Sequence, residues 1–190
     1  MKYSKLVLII LIISTLILCQ NTSNKTDTEG SISVNDSFYS LIENNPIDQY
    51  YEKEIKNGVK SISEIVNTYT SLWIEEFDNT VSKCDNILTE EQAQEIVSLL
   101  SKWKNNEKSL WEWQMNEIFE NKSYAYGTQV YCDEWKSVGD RFREKTIWLK
   151  YQLYIVEISN NPEKSLNELD SVMFSNNQGT VSVKTEETER

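Results

Sequence analysis

Residues 46–88 read PIDQYYEKEIKNGVKSISEIVNTYTSLWIEEFDNTVSKCDNIL, and their apolar side chains recur every three or four positions. That spacing places them on one face of an α-helix over about forty residues. Asn45 is suited to cap the start of this helix, and Pro46 is tolerated at its first position. We therefore expect one long amphipathic helix, with Gly58 as the place where it can kink because glycine costs about 1 kcal/mol relative to alanine.

Two further long helices are expected downstream. Residues 89–92 (TEEQ) have the form of a capping box, so a second helix should start there and run antiparallel to the first. Its apolar positions are Ala93, Ile96, Val97, Leu100, Trp103, Leu110, Trp111 and Ile118. Residues 121–129 (NKSYAYGTQ) interrupt this pattern. A third helix follows, with Tyr131, Cys132, Trp135, Val138, Phe142, Leu149, Leu153 and Val156 as its apolar positions.

Shorter helical elements are expected at both ends. Phe38, Leu41 and Ile42 predict one or two turns before the first long helix. Residues 161–162 (NP) predict the start of a last short helix, whose apolar residues are Leu166, Leu169 and Met173. The chain has only five glycines and two prolines, too few for the many turns of a sheet protein. The predicted fold class is therefore all-α: an antiparallel bundle of three main helices with short extra helices at both ends.

The six tryptophans and ten tyrosines are expected to serve mainly as core, because helical spacing predicts a packed face. Trp113 is the exception. It falls on the side of its helix opposite Trp111, close to the acidic Glu112 and Glu117, which predicts an exposed side chain.

The first nineteen residues predict export. Lys2 and Lys5 precede an apolar stretch at 6–18, whose 13 residues fall short of the roughly 20 that span a bilayer. We expect residues 1–18 to be a signal peptide and Cys19 to carry a lipid, since residues 16–19 (LILC) resemble a lipobox. An uncleaved membrane anchor and a cysteine without lipid are the alternatives. The predicted location is the periplasm or the cell surface, with membrane attachment through the lipid.

The remaining chain divides into three parts. Residues 19–34 are polar and rich in Ser, Thr and Asn, which predicts a flexible tether. Residues 35–175 hold the helical domain. Residues 176–190 are polar and acidic without an apolar period, and we expect them to form a disordered tail.

The charge of the chain indicates its class of partner. Loss of residues 1–18, which carry two lysines and no acidic residue, takes the formal net charge from −11 to −13. Such a surface repels the phosphates of nucleic acid, so no nucleic-acid partner is expected. A basic protein is the complementary partner.

Most catalytic chemistry lacks its residues here. There is no histidine, which excludes a Ser-His-Asp or Cys-His site and any His-ligated zinc. The glycines are scattered singly, so no phosphate-binding loop is present. We expect no catalytic residue, metal or cofactor. The alternative is a glycan hydrolase built from neighbouring carboxylates, for which the pairs are Glu75/Glu76, Glu90/Glu91 and Asp133/Glu134.

Cys84 and Cys132 form an even pair in an exported protein, which makes them the candidates for a disulfide. They lie at opposite ends of the second helix, so they can meet only if residues 121–129 carry the chain back along the bundle. Two buried free thiols are the alternative.

Several short motifs occur in a fixed order between Ile62 and Leu153. They are Ile65-Val66-Asn67-Thr68-Tyr69, Leu99-Leu100, Lys108-Ser109-Leu110-Trp111, Tyr126-Gly127-Thr128, and Cys132 followed by Arg141 and Arg143. This order resembles the lysozyme inhibitor LprI-like N-terminal domain family of exported bacterial proteins, over about half of the chain. The family pattern usually has a glutamine three residues before the tryptophan and an arginine shortly after it, where this chain has Lys108 and Met115.

The resemblance implies a small helical cell-envelope domain, often disulfide-bonded, that inhibits lysozyme in some members. Lysozymes are commonly basic, so an acidic inhibitor has the right sign for electrostatic steering. We expect a protein-binding module that uses the loop 121–129, with Tyr124, Tyr126, Gly127 and Thr128 as the binding residues. Two alternatives remain open: these residues merely cover the bundle, or the chain is a structural envelope protein without a soluble ligand.

Overall fold

The computed structural model describes residues 34–114, 116 and 128–175, and the protein is all-α over these residues, as predicted. The helices are α1 (Val34–Glu43), α2 (Pro46–Asn57), α3 (Ile62–Ser82), α4 (Cys84–Ile87), α5 (Glu90–Trp113) and α6 (Thr128–Asn160). Two 3-10 turns follow at Leu166–Glu168 and Asp170–Val172. Within the described residues, no helix is both long enough and apolar enough to cross a membrane.

Three aromatic rings, one from each long helix, meet in the centre of the bundle. The rings of Phe77, Trp103 and Phe142 lie 5.0–5.4 Å apart between centroids. The ring of Trp111, further along α5, packs against that of Trp135, which lies earlier on α6, with the ring centroids 4.4 Å apart. The two helices α5 and α6 therefore run antiparallel. The predicted architecture of three main helices with shorter elements at both ends is confirmed.

The predicted long helix at 46–88 is instead divided into α2 and α3, which fold back on each other, and the short α4. Gly58 adopts a left-handed conformation, with φ of 64°, and its N–H donates to Glu54 O, which ends α2. Ser61 then caps α3 by accepting from the N–H of Glu64 at 3.2 Å. The predicted cap at Asn45 is confirmed, since its side chain accepts from two N–H groups of α2. The expectation of one continuous helix was wrong because the glycine ends the helix rather than bending it.

Of the other helix predictions, the start of α5 and the turns before α2 are confirmed, and the last short helix is wrong. The backbone N–H of Thr89 donates to Gln92 Oε1 at 3.2 Å, so the predicted capping box starts α5. Phe38 is fully buried in α1, which confirms the predicted turns there. The predicted last helix is replaced by the two 3-10 turns, in which Leu169 is buried while Met173 is largely exposed.

The helices α3 and α6 pack closely and run parallel. Thr70 Oγ1 donates to Trp135 O at 3.0 Å. Further towards the C-terminal ends of both helices, Glu76 pairs with Lys150, so residue numbers rise in the same direction on α3 and α6. The contact depends on Gly139, because a Cβ atom there would lie 2.8 Å from Thr70 Oγ1 and 3.1 Å from Thr70 Cα. The bare backbone of α6 at this position therefore sets the spacing of the two helices.

The predicted disulfide between Cys84 and Cys132 is not formed: both cysteines are free and buried. The parallel course of α3 and α6 explains why. Thr70 on α3 lies beside Trp135 on α6. Three residues earlier on both parallel helices, Cys132 therefore lies at about the same height along the bundle as Asn67. Cys84 is therefore about 17 residues, or about 25 Å, further along the bundle, whereas a disulfide needs Cα atoms within about 7 Å. The two buried free thiols of the alternative interpretation are what the structure contains.

A buried ion pair holds residues 166–175, the C-terminal strap, across α3 and α6. Lys150 Nζ lies 2.8 Å from Glu76 Oε1, and both side chains are 0% exposed. Lys150 Nζ also donates to Met173 O at 2.7 Å, and Glu76 Oε2 accepts from the N–H of Ser175 at 3.0 Å. The pair thus ties two backbone groups of the strap to α3 and α6, and Met173 O accepts a second hydrogen bond from Lys83 Nζ at 2.9 Å.

Candidate functional site

The predicted binding and lipidation residues lie almost entirely outside the described part of the chain. This holds for Cys19, Tyr124, Tyr126 and Gly127. Thr128 is the first residue of α6. The hypotheses of a lipid on Cys19 and of a binding loop at 121–129 therefore stay predictions.

The carboxylate pairs named from the sequence serve separate structural purposes. Glu76 is buried against Lys150, and Asp133 accepts from Gln129 Nε2 at 2.8 Å on the surface of α6. Glu134 accepts from Gln114 Nε2 at 2.8 Å. None of the six acidic residues lines the cleft described next. Among the described residues, no group of three or more His, Cys, Asp or Glu side chains is placed to hold a metal ion.

One cleft of the described domain, the acidic cleft, lies where α2 folds back over α3 and α6. It has a volume of about 350 Å³. Its lining residues are Asp48, Tyr51, Glu52, Tyr69, Lys136, Asp140, Arg143 and Glu144. Four carboxylates thus face two cationic side chains, which leaves the cleft with a formal charge of −2 when all of them are ionised.

Asp48 fixes one side of the acidic cleft. It lies in the first turn of α2, where its carboxylate accepts from Asn45 Nδ2 at 2.7 Å. The same carboxylate accepts from Trp73 Nε1 at 3.3 Å and pairs with Arg143 Nε at 2.7 Å. The guanidinium of Arg143 also lies over the Trp73 ring, 5.8 Å from its centroid. These contacts join α2, α3 and α6, so this wall is held rigidly.

Lys136 occupies a cage of aromatic rings on the other side of the cleft. Its Nζ lies 5.2 Å from the ring centroids of both Tyr51 and Tyr69 and 2.8 Å from the Asp140 carboxylate. Tyr69 donates its hydroxyl to Asp140 Oδ1 at 2.9 Å. Burial raises the pKa of Tyr69 well above its ordinary value, and the hydrogen bond to Asp140 acts in the same direction. Tyr69 therefore remains a neutral donor at physiological pH, and the cage favours a cation.

Two carboxylates of the cleft are left for a ligand. Asp48 and Asp140 already hold Arg143 and Lys136. Glu52 on α2 and Glu144 on α6 are both exposed, and in the described part of the chain neither has an ion-pair or hydrogen-bond partner. The open mouth of the cleft is therefore the more acidic part.

An exposed aromatic surface, the aromatic ledge, adjoins the mouth of the cleft. It is formed by Tyr39, Ile147, Trp148 and Tyr151 over the buried ring of Phe38, and it shares Arg143 and Glu144 with the acidic cleft. Tyr39 is 52% exposed and Trp148 is 45% exposed. Tyr39 stacks on Tyr151 with centroids 6.2 Å apart. The ledge therefore places exposed aromatic rings beside two carboxylates that have no partner in the described part of the chain.

The sequence carried part of the signal for this site. Lys136, Asp140 and Glu144 recur every four residues, so they share one face of α6. The contribution of α2 was missed because a continuous helix would place Tyr51 and Tyr69 about 27 Å apart. Their rings are in fact 4.8 Å apart between centroids, because the chain reverses after Gly58.

No family model, curated protein or solved structure matches this chain. The resemblance of residues 62–153 to the lysozyme inhibitor LprI-like family accordingly stays a prediction from the sequence.

Proposed function

We propose that this chain is an exported cell-envelope protein, anchored through a lipid on Cys19, that binds a basic protein. A lysozyme is the first partner to test, because the family that residues 62–153 resemble includes lysozyme inhibitors. The proposal needs no catalytic residue, metal or cofactor.

One observation carries the binding proposal: two carboxylates at the mouth of the acidic cleft, which have no partner among the described residues, lie beside an exposed aromatic ledge. Acidic groups steer a basic protein towards the surface and raise the rate of association. Tyrosine and tryptophan side chains supply most of the binding energy in many interfaces. Glu52 and Glu144 provide the first element, and Tyr39 and Trp148 the second.

The same geometry favours binding over hydrolysis of a glycan. A glycosidase uses one carboxylic acid as a proton donor and a second carboxylate across the scissile bond. In the acidic cleft, Asp48 and Asp140 each accept from several donors and pair with a cation within 2.8 Å. They are engaged in holding the walls of the cleft together, which leaves Glu52 and Glu144 at its mouth.

An activity assay tests the lysozyme proposal. Purified protein at micromolar concentration and low salt should slow the lysis of a bacterial cell-wall suspension by a basic lysozyme. Added salt should weaken the effect, since the Debye length falls to about 10 Å at 0.1 M. An unchanged rate at low salt would remove lysozyme as the partner. Faster lysis, seen also without lysozyme, would favour the glycan hydrolase.

The anchoring proposal has its own test. Cys19→Ser should abolish metabolic labelling with a clickable fatty acid and move the protein from the membrane fraction to the soluble fraction. Membrane association that persists in the variant, together with a full-length N-terminus, would show an uncleaved anchor instead.

A further inference from the structure

We infer that the acidic cleft and the aromatic ledge together recognise an extended segment of the partner in which a basic residue and an apolar residue lie two positions apart. This inference rests on the proposed function, because it takes the partner to be a protein. It specifies the surface of this chain that is used and the sequence pattern that the surface selects.

The cleft is suited to a cation because its walls already hold two cationic side chains of this protein. Lys136 is held between two tyrosine rings and a carboxylate, and Arg143 is held by Asp48 and lies over an indole ring. At the mouth, Glu52 and Glu144 have no such partner in the described residues. An incoming lysine or arginine would supply the missing charge.

The ledge is suited to an apolar side chain, and its distance from the mouth sets the spacing. Glu144 and Trp148 lie four residues apart on α6, so their Cβ atoms are about 5–6 Å from each other. Alternate residues of an extended segment point the same way and lie about 6.6 Å apart. A basic residue over Glu144 therefore places the second residue along over Trp148.

The strength of this docking should depend on both elements. Trp148 presents 45% of its surface, and among the described residues Lys145 contacts its ring, with Nζ 5.3 Å from the ring centroid. Covering this ring with an apolar side chain removes apolar area from water without disturbing the core. The carboxylates of the mouth then select the sign of the neighbouring charge and fix the register.

The experiment uses two peptides of identical composition, titrated into the full-length protein with isothermal titration calorimetry as the readout. The patterned peptide is Ac-Arg-Ser-Leu-Ser-Arg-Ser-Leu-NH2, and the scrambled one is Ac-Arg-Arg-Ser-Ser-Ser-Leu-Leu-NH2. The patterned peptide should bind about tenfold more tightly, since only it engages the mouth and the ledge together.

Matched variants locate the binding. Glu52→Gln with Glu144→Gln should weaken the patterned peptide about tenfold. Its control is Glu75→Gln with Glu95→Gln, which removes the same charge from exposed acids elsewhere on the domain. Trp148→Ser should weaken the peptide by a similar factor, and its control is Trp113→Ser on α5, where the side chain is 55% exposed.

Each other outcome overturns the inference. Equal binding of the two peptides, or equal losses in the variants and their controls, would mean unspecific charge attraction. A self-association of the protein alone that Trp148→Ser abolishes in sedimentation would assign the ledge to a second copy of this chain.

The inference and the proposed function also fail separately. If lysozyme is inhibited equally by the wild type and by the cleft variants, the function stands and this surface is not the one used. If the patterned peptide binds as described and lysozyme is not inhibited, the surface stands and lysozyme is not the partner.

Discussion

Replacement of Lys150 by methionine should destabilise the protein strongly. At 2.8 Å and an effective dielectric constant of about 20, its ammonium and the Glu76 carboxylate attract each other by about 6 kcal/mol. Part of this gain only repays the burial of two fully enclosed charges. Burial lowers the pKa of Lys150 to about 8, although the nearby Glu76 opposes that shift. Removal of the lysine alone leaves Glu76 as an unpaired buried carboxylate, which costs about 3–5 kcal/mol.

The measurement is a urea denaturation curve followed by far-UV circular dichroism. The loss corresponds to a fall in melting temperature of about 6–20 °C for a domain of this size. The matched control is Lys102→Met on α5, where the lysine is exposed, and it should change stability by less than about 0.5 kcal/mol. Glu76→Leu added to Lys150→Met should recover most of the loss, because two apolar side chains can replace a buried pair.

Two results would contradict the proposed role of the buried ion pair. If Lys150→Met is no more destabilising than Lys102→Met, the ion pair is hydrated rather than buried. If the double variant is as unstable as the single one, the loss comes from the hydrogen bond between Lys150 and Met173 O in the C-terminal strap, not from the unpaired charge.

Three further predictions follow from the packing and from the buried titratable groups. Gly139→Ala should lower the free energy of unfolding by about 1–3 kcal/mol in the same assay, because the new methyl group meets the side chain and backbone of Thr70. This overpacking outweighs the gain in helix propensity. Unchanged stability would mean that α3 and α6 can move apart. Alkylation of unfolded, unreduced protein, mapped by mass spectrometry, should label both Cys84 and Cys132. In the folded protein Cys84 should resist labelling, because burial raises its pKa to about 11. Protection of both cysteines after unfolding would show that the disulfide does form. Stability should fall as the pH rises above about 10, because the unfolded chain then releases the proton of Tyr69 that the folded state retains. Tyr69→Phe should flatten this fall. Parallel curves of stability against pH for the two proteins would show that Tyr69 is not the group responsible.

The long helices could be predicted from the sequence, whereas one reversal of the chain and the two 3-10 turns that replace the last predicted helix could not. Apolar spacing identified α3, α5 and α6, since a helix that buries one face must repeat its apolar residues with the helical period. The same spacing continued through Gly58 into α2, and periodicity alone does not tell a kink from a reversal. That distinction depends on the left-handed conformation of Gly58 and on the cap at Ser61.

The buried charges were also beyond sequence reasoning. The pair Glu75/Glu76 reads as a solvated face, yet Glu76 is fully buried because Lys150 meets it from a helix 74 positions further along the chain. The contact of Asp48 with Arg143 spans 95 positions in the same way. A charge that is neutralised by a distant partner looks like any other surface charge until the packing of the helices is known.

Carbodiimide cross-linking locates the surface that meets a basic partner, because it joins a carboxylate to a lysine amine only where the two are in contact. The protein and a basic lysozyme would be mixed at low salt, cross-linked, digested and mapped by mass spectrometry. We expect cross-links from Glu52 or Glu144 to lysines of the lysozyme, with few from Glu75 and Glu95. Absence of any cross-linked product, or cross-links spread equally over all four residues, would contradict it.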